Sequence, residues 1–406
     1  MRLRKGNKEL IKDINRALVI NEIRTNEKIN RKKIAQNLGL GLSTVTYIID
    51  ELINQNLVFE VGEADSTGGR KPILLQFNYD YGYTIGIRIK NNLFEIALTN
   101  LKPNIISMKR IPFKKGSSSD LVVDLIIHEI DNIINSLSSD KKLLGIGISV
   151  SGIVDSNKGK LIFSGLLNWE QVDFKLTIEN KFGIPVYVEN DVKAFTQTEL
   201  WFGYGKEFNN FLVITYGAGI GSGIVINKRI YNGDFGGAGE LGHIILYANG
   251  RKCECGNHGC LEAYSSESFI SDYIREHIKF YSDSIIDINT ELNIDDVYQY
   301  ALLGDYLAIH ALKASAQNLG LGIISAINLL NLSTIILAGE GMIAKDFLLP
   351  VIKDTVSNNF FKRCDSKVTI LTSQLNDDAW VIGASILAVR NLFDIPIFYE
   401  QKHKTI

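Results

Sequence analysis

The sequence predicts an α/β protein in two parts, in which a small helical segment with one hairpin precedes a larger body of strands and helices. Three observations support this prediction. Apolar residues recur at helical spacing through residues 8–55, and the period then changes to that of strands. From residue 79 onward, short apolar strands alternate with glycine-rich or polar loops and with helical stretches. The chain has 406 residues, 46% of them hydrophobic, which is enough for two or three domains with large cores.

The charge of the chain is unevenly distributed. The net charge is only -2, which excludes a protein that is basic throughout. Residues 1–33 nevertheless contain 11 Lys and Arg against 4 Asp and Glu. A basic segment in front of an acidic body indicates that the front contacts a polyanion while the body has a different task.

Three helices are predicted in the front part. An amphipathic helix covers residues 8–24. Asn30 is the expected N-cap of a second helix, which ends at Gly39, and Ser43 is the expected N-cap of a third helix over residues 44–55. Two short helices, a glycine turn and a further amphipathic helix are typical of a helix-turn-helix.

A hairpin follows these helices, with strands predicted at residues 57–61 and 73–77 around a turn at 62–71. A hairpin in this place defines a winged helix, whose third helix enters the major groove while the wing contacts phosphates or the minor groove. The side chains expected to contact double-stranded DNA are Arg31, Lys32, Ser43, Thr44, Thr46, Tyr47, Arg70 and Lys71. The simpler alternative is a helical packing module whose basic residues are only solvated.

In the body, polar or glycine-rich segments repeatedly follow the carboxyl ends of apolar strands. Strand 186–188 is followed by Glu-Asn-Asp at 189–191, and strand 211–215 by the glycine segment 217–223. Open α/β sheets bind their ligands at these ends.

Residues 319–339 carry no charge, but their polar interruptions predict a buried helix and strand and not a membrane span. The first residues show no apolar segment typical of a signal peptide, and we therefore expect a soluble cytoplasmic protein.

Three of the four cysteines lie within eight residues, at Cys253, Cys255 and Cys260, and His243 precedes them by ten positions. Three thiolates and one imidazole satisfy a tetrahedral Zn2+ ion without leaving an open position, which is typical of a structural site. Clustered thiols in a reducing compartment more often bind metal than form disulfides. The alternative is a set of free thiols in a glycine-rich loop.

Further polar groups surround this cluster in the sequence. Glu240 and Glu262 can each accept hydrogen bonds from two hydroxyl groups, while His243 can bind a metal through one nitrogen and donate through the other. Asn190 and Asp191 add a donor and an acceptor at a strand end. Such a set suits the neighbouring hydroxyls of a sugar. Taken singly, each residue is more often a loop cap or an ion-pair partner.

Together these residues resemble the ROK family of sugar kinases and sugar-responsive repressors. The resemblance rests on Glu240-x-x-His243, on the pattern from Cys253 to Glu262, on Glu189-Asn-Asp191 and on the glycine segment 217–223, and it extends over essentially the whole chain. Residues 57–78 are similar to the wing of the repressor branch, and most of all to xylose repressors of Gram-positive bacteria.

The resemblance implies a winged helix-turn-helix at 1–78 and a two-lobed, actin/hexokinase-like (ribonuclease H-like) body at 79–406, with a sugar in the cleft. The lobes are expected at about 79–195, together with the C-terminal helix, and at about 196–375. The implied sugar contacts are Asn168, Asn190, Asp191, Glu240, His243 and Glu262. The implied ligands of a structural zinc ion are His243, Cys253, Cys255 and Cys260.

The sequence departs from the kinase branch at one place. Kinases of this fold begin their sheet with Asp-x-Gly-Gly-Thr, whose turn receives the phosphates of ATP, whereas the aligned stretch here is Arg88-Ile-Lys90-Asn91-Asn92. Without the acid and both glycines, the backbone cannot approach a phosphate in the same way. Phosphoryl transfer depends on positioning and electrostatics, so we expect no catalysis. Asp191, at the place of the kinase base, is then a vestigial base retained as a hydroxyl ligand.

The sequence therefore predicts a sugar-responsive DNA-binding transcription regulator, a repressor of sugar-utilisation genes that a monosaccharide releases from its operator. The effector is expected to be xylose or another aldose, and the assembly a homodimer or a tetramer. Two other classes of protein are alternatives to this prediction. One is an ATP-dependent sugar kinase with a DNA-binding head, which Asp191 and the segment 217–223 favour. The other is an adaptor whose front part binds a partner protein.

Overall fold

The structure, a computed structural model, describes residues 6–63, 71–139, 141–290, 292–364 and 367–394, and for Glu63, Arg363 and Cys364 it describes only the backbone. Along the chain, the described elements form an N-terminal module, a first lobe and a second lobe. The tip of the predicted wing, at 64–70, lies outside the described residues.

The N-terminal module combines three helices with a small antiparallel sheet of order β1-β3-β2. Its elements are α1 (Lys8–Thr25), β1 (Ile29–Asn30), α2 (Arg31–Leu38), α3 (Leu42–Asn54), β2 (Val58–Glu63) and β3 (Ile73–Phe77). The Asn30 side chain accepts from the N–H of Lys33 and caps α2, as predicted. The predicted cap at Ser43 is wrong, because α3 already begins at Leu42 behind the extended backbone of Gly41, which places Ser43 inside the first turn.

The first lobe is built on a five-stranded mixed sheet of order β11-β7-β4-β5-β6. Its elements are β4 (Tyr83–Ile89), β5 (Leu93–Asn100), β6 (Ile105–Pro112), α4 (Ser119–Ser136), β7 (Leu143–Val150), β8 (Ile153–Asp155), β9 (Lys160–Ser164), β10 (Trp169–Val172), α5 (Phe174–Phe182) and β11 (Val186–Asn190). Strand β7 pairs with β4 and with β11 in parallel, whereas β5 pairs antiparallel with both β4 and β6. Every residue of β4 is buried, as expected for a strand covered on both faces.

The second lobe contains a five-stranded sheet of order β14-β13-β12-β15-β16. The remaining elements are α6 (Asp191–Phe202), β12 (Phe211–Tyr216), β13 (Ile220–Ile226), β14 (Arg229–Ile230), α7 (Glu267–His277), α8 (Ile294–Leu302), α9 (Tyr306–Leu330), β15 (Thr334–Ala338), α10 (Lys345–Ser357), β16 (Thr369–Thr372) and α11 (Ala379–Leu392). The segment 217–223 is not a loop throughout, because β13 already begins at Ile220.

The uncharged segment 319–339 contains the end of α9 and the strand β15, so the predicted helix and strand are confirmed. Both elements are largely buried in the second lobe. Among the described residues, no helix is long and apolar enough to cross a membrane.

The N-terminal module and the first lobe share a hydrophobic core. Helix α11 packs on β4 and β7 of the first sheet, and Val389 of α11 and Phe393 just after it belong to the same buried cluster as the apolar residues of α1, α3 and β3. The ring of Phe393 lies edge-on to that of Phe77, with 5.4 Å between centroids. The amide of Asn21 donates to the carbonyl of Phe393 at 2.7 Å. The module is thus attached through packed side chains as well as through the chain, while a domain boundary at residue 78 stays a prediction.

Candidate functional site

Four potential metal ligands meet at one point of the second lobe. The ligand atoms of His243, Cys253, Cys255 and Cys260 all lie within 4.8 Å of one another. The Sγ atoms of Cys255 and Cys260 are 3.7 Å apart, as are Cys253 Sγ and His243 Nδ1. Two sulfurs bound at about 2.3 Å in a tetrahedral site lie about 3.8 Å apart. The cluster therefore has the dimensions and the donor set to hold a tetrahedral metal ion.

The backbone of the cysteine loop explains why the sulfurs converge. The N–H of Cys253 donates to the carbonyl of Asn257 at 2.8 Å, which closes the loop. Gly259 has a left-handed backbone with φ of 82°, and a Cβ atom there would lie 1.8 Å from the carbonyl oxygen of Tyr247. Only glycine fits at this position. His258 is exposed and does not belong to the ligand cluster.

Glu262 lies between the ligand cluster and the central sheet of the second lobe. Its Oε1 atom is 3.9 Å from Cys253 Sγ, and its Oε2 accepts the N–H of Ile220 at 2.9 Å. The carboxylate is thus fixed on one side by the ligand loop and on the other by the start of β13. A metal ion in the cluster would hold the loop and, with it, this carboxylate in place.

Glu240 directly precedes the short turn that ends at His243 and is exposed to solvent. Desolvation by the surrounding protein raises the pKa of the Glu240 carboxyl, and the charges of His243 and Lys193 oppose that shift. The neighbouring carboxylates of Glu262 and Asp191 raise the pKa of Glu240 further. Glu240 therefore interacts electrostatically with the predicted site residues of both the ligand loop and α6.

Asn190 and Asp191 stand where β11 ends and α6 begins. The Oδ1 atom of Asn190 caps α6 by accepting the N–H groups of Val192 and Lys193 at 3.0 and 3.2 Å. Its Nδ2 atom donates to the carbonyl of Gly152 at 3.0 Å. Asn190 is therefore already engaged in fixing the backbone, and only its second amide hydrogen is left for a ligand.

Asp191 is the first residue of α6 and is half-buried. Its carboxylate accepts the N–H of Val192 at 2.9 Å. Desolvation raises the pKa of Asp191, the Arg88 guanidinium lowers it, and the Glu340 carboxylate raises it again. Asp191 thus combines a carboxylate next to a helix N-terminus with a nearby buried cation.

Asn168 occupies the turn between β9 and β10 and is exposed. Its backbone is left-handed, with φ of 54°, and its N–H donates to the carbonyl of Gly165 at 3.3 Å. No contact found among the described residues joins its side chain to the other predicted sugar ligands. A sugar contact from Asn168 stays a prediction.

Lys193 is a site residue that the sequence analysis missed. Its side chain is only 2% exposed, and its Nζ donates to the carbonyl of Gly236 in the loop that leads to Glu240. Desolvation lowers the pKa of Lys193, and the carboxylates of Glu189 and Glu240 oppose this shift. The sequence feature that could have identified it is its place two positions after Asp191, on the inner face of a helix.

Glu189, quoted above only as part of a motif, is also a candidate. It is 7% exposed, and its carboxylate accepts the hydroxyl of Ser156 at 2.8 Å and the N–H of Asn190 at 2.9 Å. Burial raises the pKa of Glu189, and the charge of Lys193 lowers it. Glu189 and Lys193 are therefore two buried groups of opposite charge that interact electrostatically, and they flank Asn190 and Asp191 in the chain.

Arg88 is buried on β4, with only 8% of its surface exposed. Its guanidinium lies 3.6 Å from the carboxylate of Glu95 and 4.2 Å from the centre of the Trp380 ring. The strand register aligns Arg88 with Ser149, and Ser149 with Glu189, in one row across the first sheet. The residue that departs from the kinase pattern thus forms a fixed internal cation at the edge of the site.

The turn before β13 also has a negatively charged neighbour. The N–H of Ala218 points at the carboxylate of Glu340, at 3.4 Å. Beside it, a cavity of about 120 Å3 lies between the ends of β15 and β16 and the start of α11. Its lining includes Glu340, Asp377, Phe195 and Trp380. The cavity that Glu340 borders therefore carries negative charge.

The predicted DNA contacts on α3 lie at the surface of the N-terminal module. Ser43, Thr44 and Tyr47 are exposed, and Thr46 is partly exposed. The Tyr47 hydroxyl donates to Glu51 at 2.8 Å on the same helix. The N-terminal half of α3 therefore presents hydroxyl groups to solvent.

Arg31 differs from the other predicted phosphate contacts. Its guanidinium forms ion pairs with Asp50 at 3.1 Å and with Glu60 at 3.0 Å. Two further predicted contacts are exposed, namely Lys32 and Lys71. Arg70 lies outside the described residues.

Comparison with solved structures defines the class of protein. A crystal structure of a ROK family transcriptional regulator, a homolog of the E. coli MLC protein, superposes with a TM-score of 0.85 at 28% identity, covering 96% of this chain and 98% of that one. A ROK family glucokinase from Streptomyces griseus, in complex with glucose and AMPPNP, has a TM-score of 0.66 at 24% identity and covers 76% of this chain and 100% of that one. The protein is thus an α/β protein with the fold shared by ROK regulators and sugar kinases.

The sequence comparison identifies the family. Residues 84–391 match the ROK family. The chain is 33% identical over 386 residues to the xylose repressor of Bacillus spizizenii, which covers 95% of this chain and 97% of that protein. The chain therefore belongs to the ROK family, and the resemblance stated from its motifs is confirmed.

Proposed function

We propose that this protein is a sugar-responsive transcriptional repressor, whose N-terminal module binds operator DNA and whose two lobes bind a monosaccharide. One observation carries the proposal. Similarity to a xylose repressor and to a transcriptional regulator extends over the N-terminal module as well as the lobes, whereas the glucokinase covers only 76% of the chain. The ROK family match begins at residue 84, after the part expected to bind DNA.

The N-terminal module serves as a winged helix-turn-helix in this proposal. The exposed hydroxyl groups of Ser43, Thr44, Thr46 and Tyr47 on α3 contact base edges in the major groove. The exposed cations of Lys32 and Lys71 contact phosphates, and so does Arg70, which the sequence predicts in the wing. Arg31 contributes less, because Asp50 and Glu60 already neutralise it.

The sugar lies in the cleft, beside Glu240, His243, Glu262 and the start of α6. Its hydroxyl groups donate to the carboxylates, among them Asp191, while Asn190 and Asn168 contribute amide contacts. Since the Bacillus spizizenii relative is named a xylose repressor, we propose xylose or another aldose as the effector. The lobes close around it, and closure changes the orientation of the two DNA-binding modules of a homodimer.

A structural zinc ion fits the four-ligand cluster. Three thiolates and one imidazole leave no open position, so the ion would organise the loop and would not act as a hydrolytic centre. Its proposed role is to keep His243 and Glu262 in the positions that the sugar requires.

We propose that the protein is not an enzyme. Asp191 at the start of α6 is the feature that favours the alternative, an ATP-dependent sugar kinase. Against it, the strand that would lead to a phosphate-binding turn carries the buried Arg88, and the N–H of Ala218 faces the carboxylate of Glu340 instead of a free anion site. A triphosphate placed there would meet the negative charges of Glu340 and Asp377.

The decisive experiment measures binding of the full-length protein to genomic DNA fragments, with and without a panel of aldoses, in the cytoplasmic pH range and at defined salt concentration. We expect fragment-specific binding that one aldose weakens, together with a melting temperature that the same aldose raises. ADP release at ordinary kinase rates in the presence of ATP and that aldose would contradict the proposal. Retention of a protein partner without any DNA binding would favour the adaptor alternative.

A further inference from the structure

The side chains of Arg24, Trp201 and Phe393 form a contact, which we call the joint, between the N-terminal module and the ends of α6 and α11. Arg24, in the last turn of α1, places its guanidinium carbon 4.7 Å from the centre of the Trp201 ring and 5.5 Å from that of Phe393. Trp201 lies in the last turn of α6, and Phe393 directly follows α11. The backbone at Arg24 is held as well, because the Tyr79 hydroxyl donates to its carbonyl at 2.7 Å.

The opposite ends of α6 and α11 lie at the proposed sugar site. Asp191 is the first residue of α6, about 15 Å from Trp201 at a rise of about 1.5 Å per residue. Trp380, the second residue of α11, stacks on the Arg88 guanidinium at 4.2 Å. Phe195, one turn after Asp191, packs on Trp380 with ring centroids 4.6 Å apart. Both helices therefore extend from the site to the joint.

The two helices are fastened to each other. The hydroxyl of Thr198 on α6 donates to the carbonyl of the first residue of α11 at 2.8 Å. Arg390 on α11 donates to the side chain of Gln197 at 3.2 Å. At Gly383 the backbones approach so closely that a Cβ atom would lie 2.3 Å from the carbonyl oxygen of Ala194. A displacement of α6 must therefore involve α11.

On the other side of the joint, α1 is coupled to the proposed recognition helix. Arg16 donates to Gln55 at the end of α3 at 2.6 Å, and Lys12 pairs with Glu51 at 3.1 Å. The apolar faces of α1 and α3 also share one core. A shift of α1 is thus passed to α3.

We propose that α6 and α11 move as one unit between the sugar and the N-terminal module, and that Arg24 is the positioning residue that passes this movement to α1. The inference rests on the proposed sugar response. A sugar that binds at the start of α6 displaces that helix, and Trp201 moves with it. Arg24 follows, because its side chain lies against Trp201 and Phe393 while Tyr79 holds its carbonyl.

The test is the coupling between sugar and operator in the full-length Arg24→Met variant. Methionine keeps an unbranched stem and removes the planar cation. The ratio of operator affinities without and with saturating aldose measures the coupling, which is typically about 5- to 150-fold. We expect Arg24→Met to lower this ratio by about fivefold or more, while each ligand alone binds within about twofold of the parent affinity.

Lys181→Met is the matched control, because it removes a cation that lies over the Phe182 ring at the end of α5, and it should keep the parent ratio. An unchanged ratio in a folded Arg24→Met protein overturns the inference. If that variant does not fold, Trp201→Leu removes the ring from the α6 side, and an unchanged ratio there overturns it equally. A parent protein that no aldose releases from DNA contradicts the proposed function instead.

Discussion

At the scale of single residues, Lys193 is the group whose position is hardest to explain without a function. A buried ammonium group loses its hydration, and only nearby negative charge and hydrogen bonds compensate for that loss. Glu189 and Glu240 supply the charge, and the carbonyl of Gly236 supplies a hydrogen bond. Lys193 thereby holds the loop that carries Glu240 against the start of α6.

We expect Lys193→Met to destabilise the protein by about 3 kcal/mol, because it leaves the buried carboxylate of Glu189 without its cation. The association constant for the aldose should fall as well, since the loop to Glu240 loses its anchor. Urea unfolding and calorimetric titration measure the two effects. Lys158→Met is the control, because Lys158 pairs with Asp155 at the surface, and it should cost less than about 1 kcal/mol. Equal stability losses in both variants would contradict this assignment.

Sugar affinity should depend on pH through Asp191. Desolvation raises the pKa of this carboxyl, with Glu340 adding to the shift and Arg88 opposing it. The ionised form, which accepts hydroxyl hydrogens, is therefore lost at a higher pH than for a free aspartate of pKa about 3.9. We expect the sugar association constant to decrease as the pH is lowered from about 7.5 toward that raised pKa. In calorimetric titrations, the sugar association constant of Asp191→Asn should depend less on pH than that of the parent protein. The same pH dependence in both proteins would count against the role of Asp191.

Removal of one metal ligand should weaken sugar binding without affecting the N-terminal module. We expect Cys255→Ser to lower zinc content and to reduce sugar affinity about tenfold, because Glu262 is oriented through the ligand loop. Metal analysis and calorimetry measure the two quantities, and operator affinity without sugar should stay at the parent value. Cys364→Ser removes the one cysteine outside the ligand cluster and serves as the control. A zinc-free variant with parent sugar affinity would make the ion incidental.

Clusters of residues that are close in sequence can be predicted better than contacts between residues that are far apart in sequence. The cluster of His243 with Cys253, Cys255 and Cys260 was predictable because all four ligands lie within one short segment with turn-forming glycines. The burial of Arg88 was not, because its neighbour Trp380 comes from α11, almost three hundred positions later. Neighbours of that kind are determined by the packing of the sheet and not by the local sequence.

At the scale of elements, prediction succeeded where a strand is an apolar run between clear turn signals. The bounds of β3 were predicted as the structure has them, and the predicted start of β12 at residue 211 is also the observed one. The start of β13 was missed, because residues 220–223 become a strand only by pairing with β12 across the second sheet. Glycines at a strand end do not reveal from sequence whether the chain turns or continues as an extended strand.

The end of α11 should stabilise the N-terminal module as well as the first lobe. Phe393 is only 6% exposed and packs on Phe77, so we expect Phe393→Ala to cost about 3 kcal/mol and to weaken operator binding. Phe360→Ala is the matched control, because Phe360 is 72% exposed, and its effect should stay within about 0.5 kcal/mol. Denaturant unfolding and operator titration measure both variants. Operator affinity at the parent value in Phe393→Ala would show that the module is independent of α11.

At the scale of the whole molecule, the proposed response requires that the two ligands affect each other equally. If an aldose lowers operator affinity by a given factor, the operator lowers aldose affinity by the same factor. We therefore expect calorimetric titration of the aldose to give a weaker affinity in the presence of saturating operator duplex. A duplex of scrambled sequence is the control. Identical aldose affinities with and without operator would rule out the release mechanism.

The core shared between the N-terminal module and α11 also affects the order of events during translation. Asn21 and Phe393 are hydrogen-bonded although they are 372 positions apart. At about 5–20 residues per second, a ribosome needs roughly 20–75 s to make the intervening chain. We expect the nascent module to lack part of its core until then. A copy of the protein that can bind a promoter would then already have its complete sugar-binding lobes.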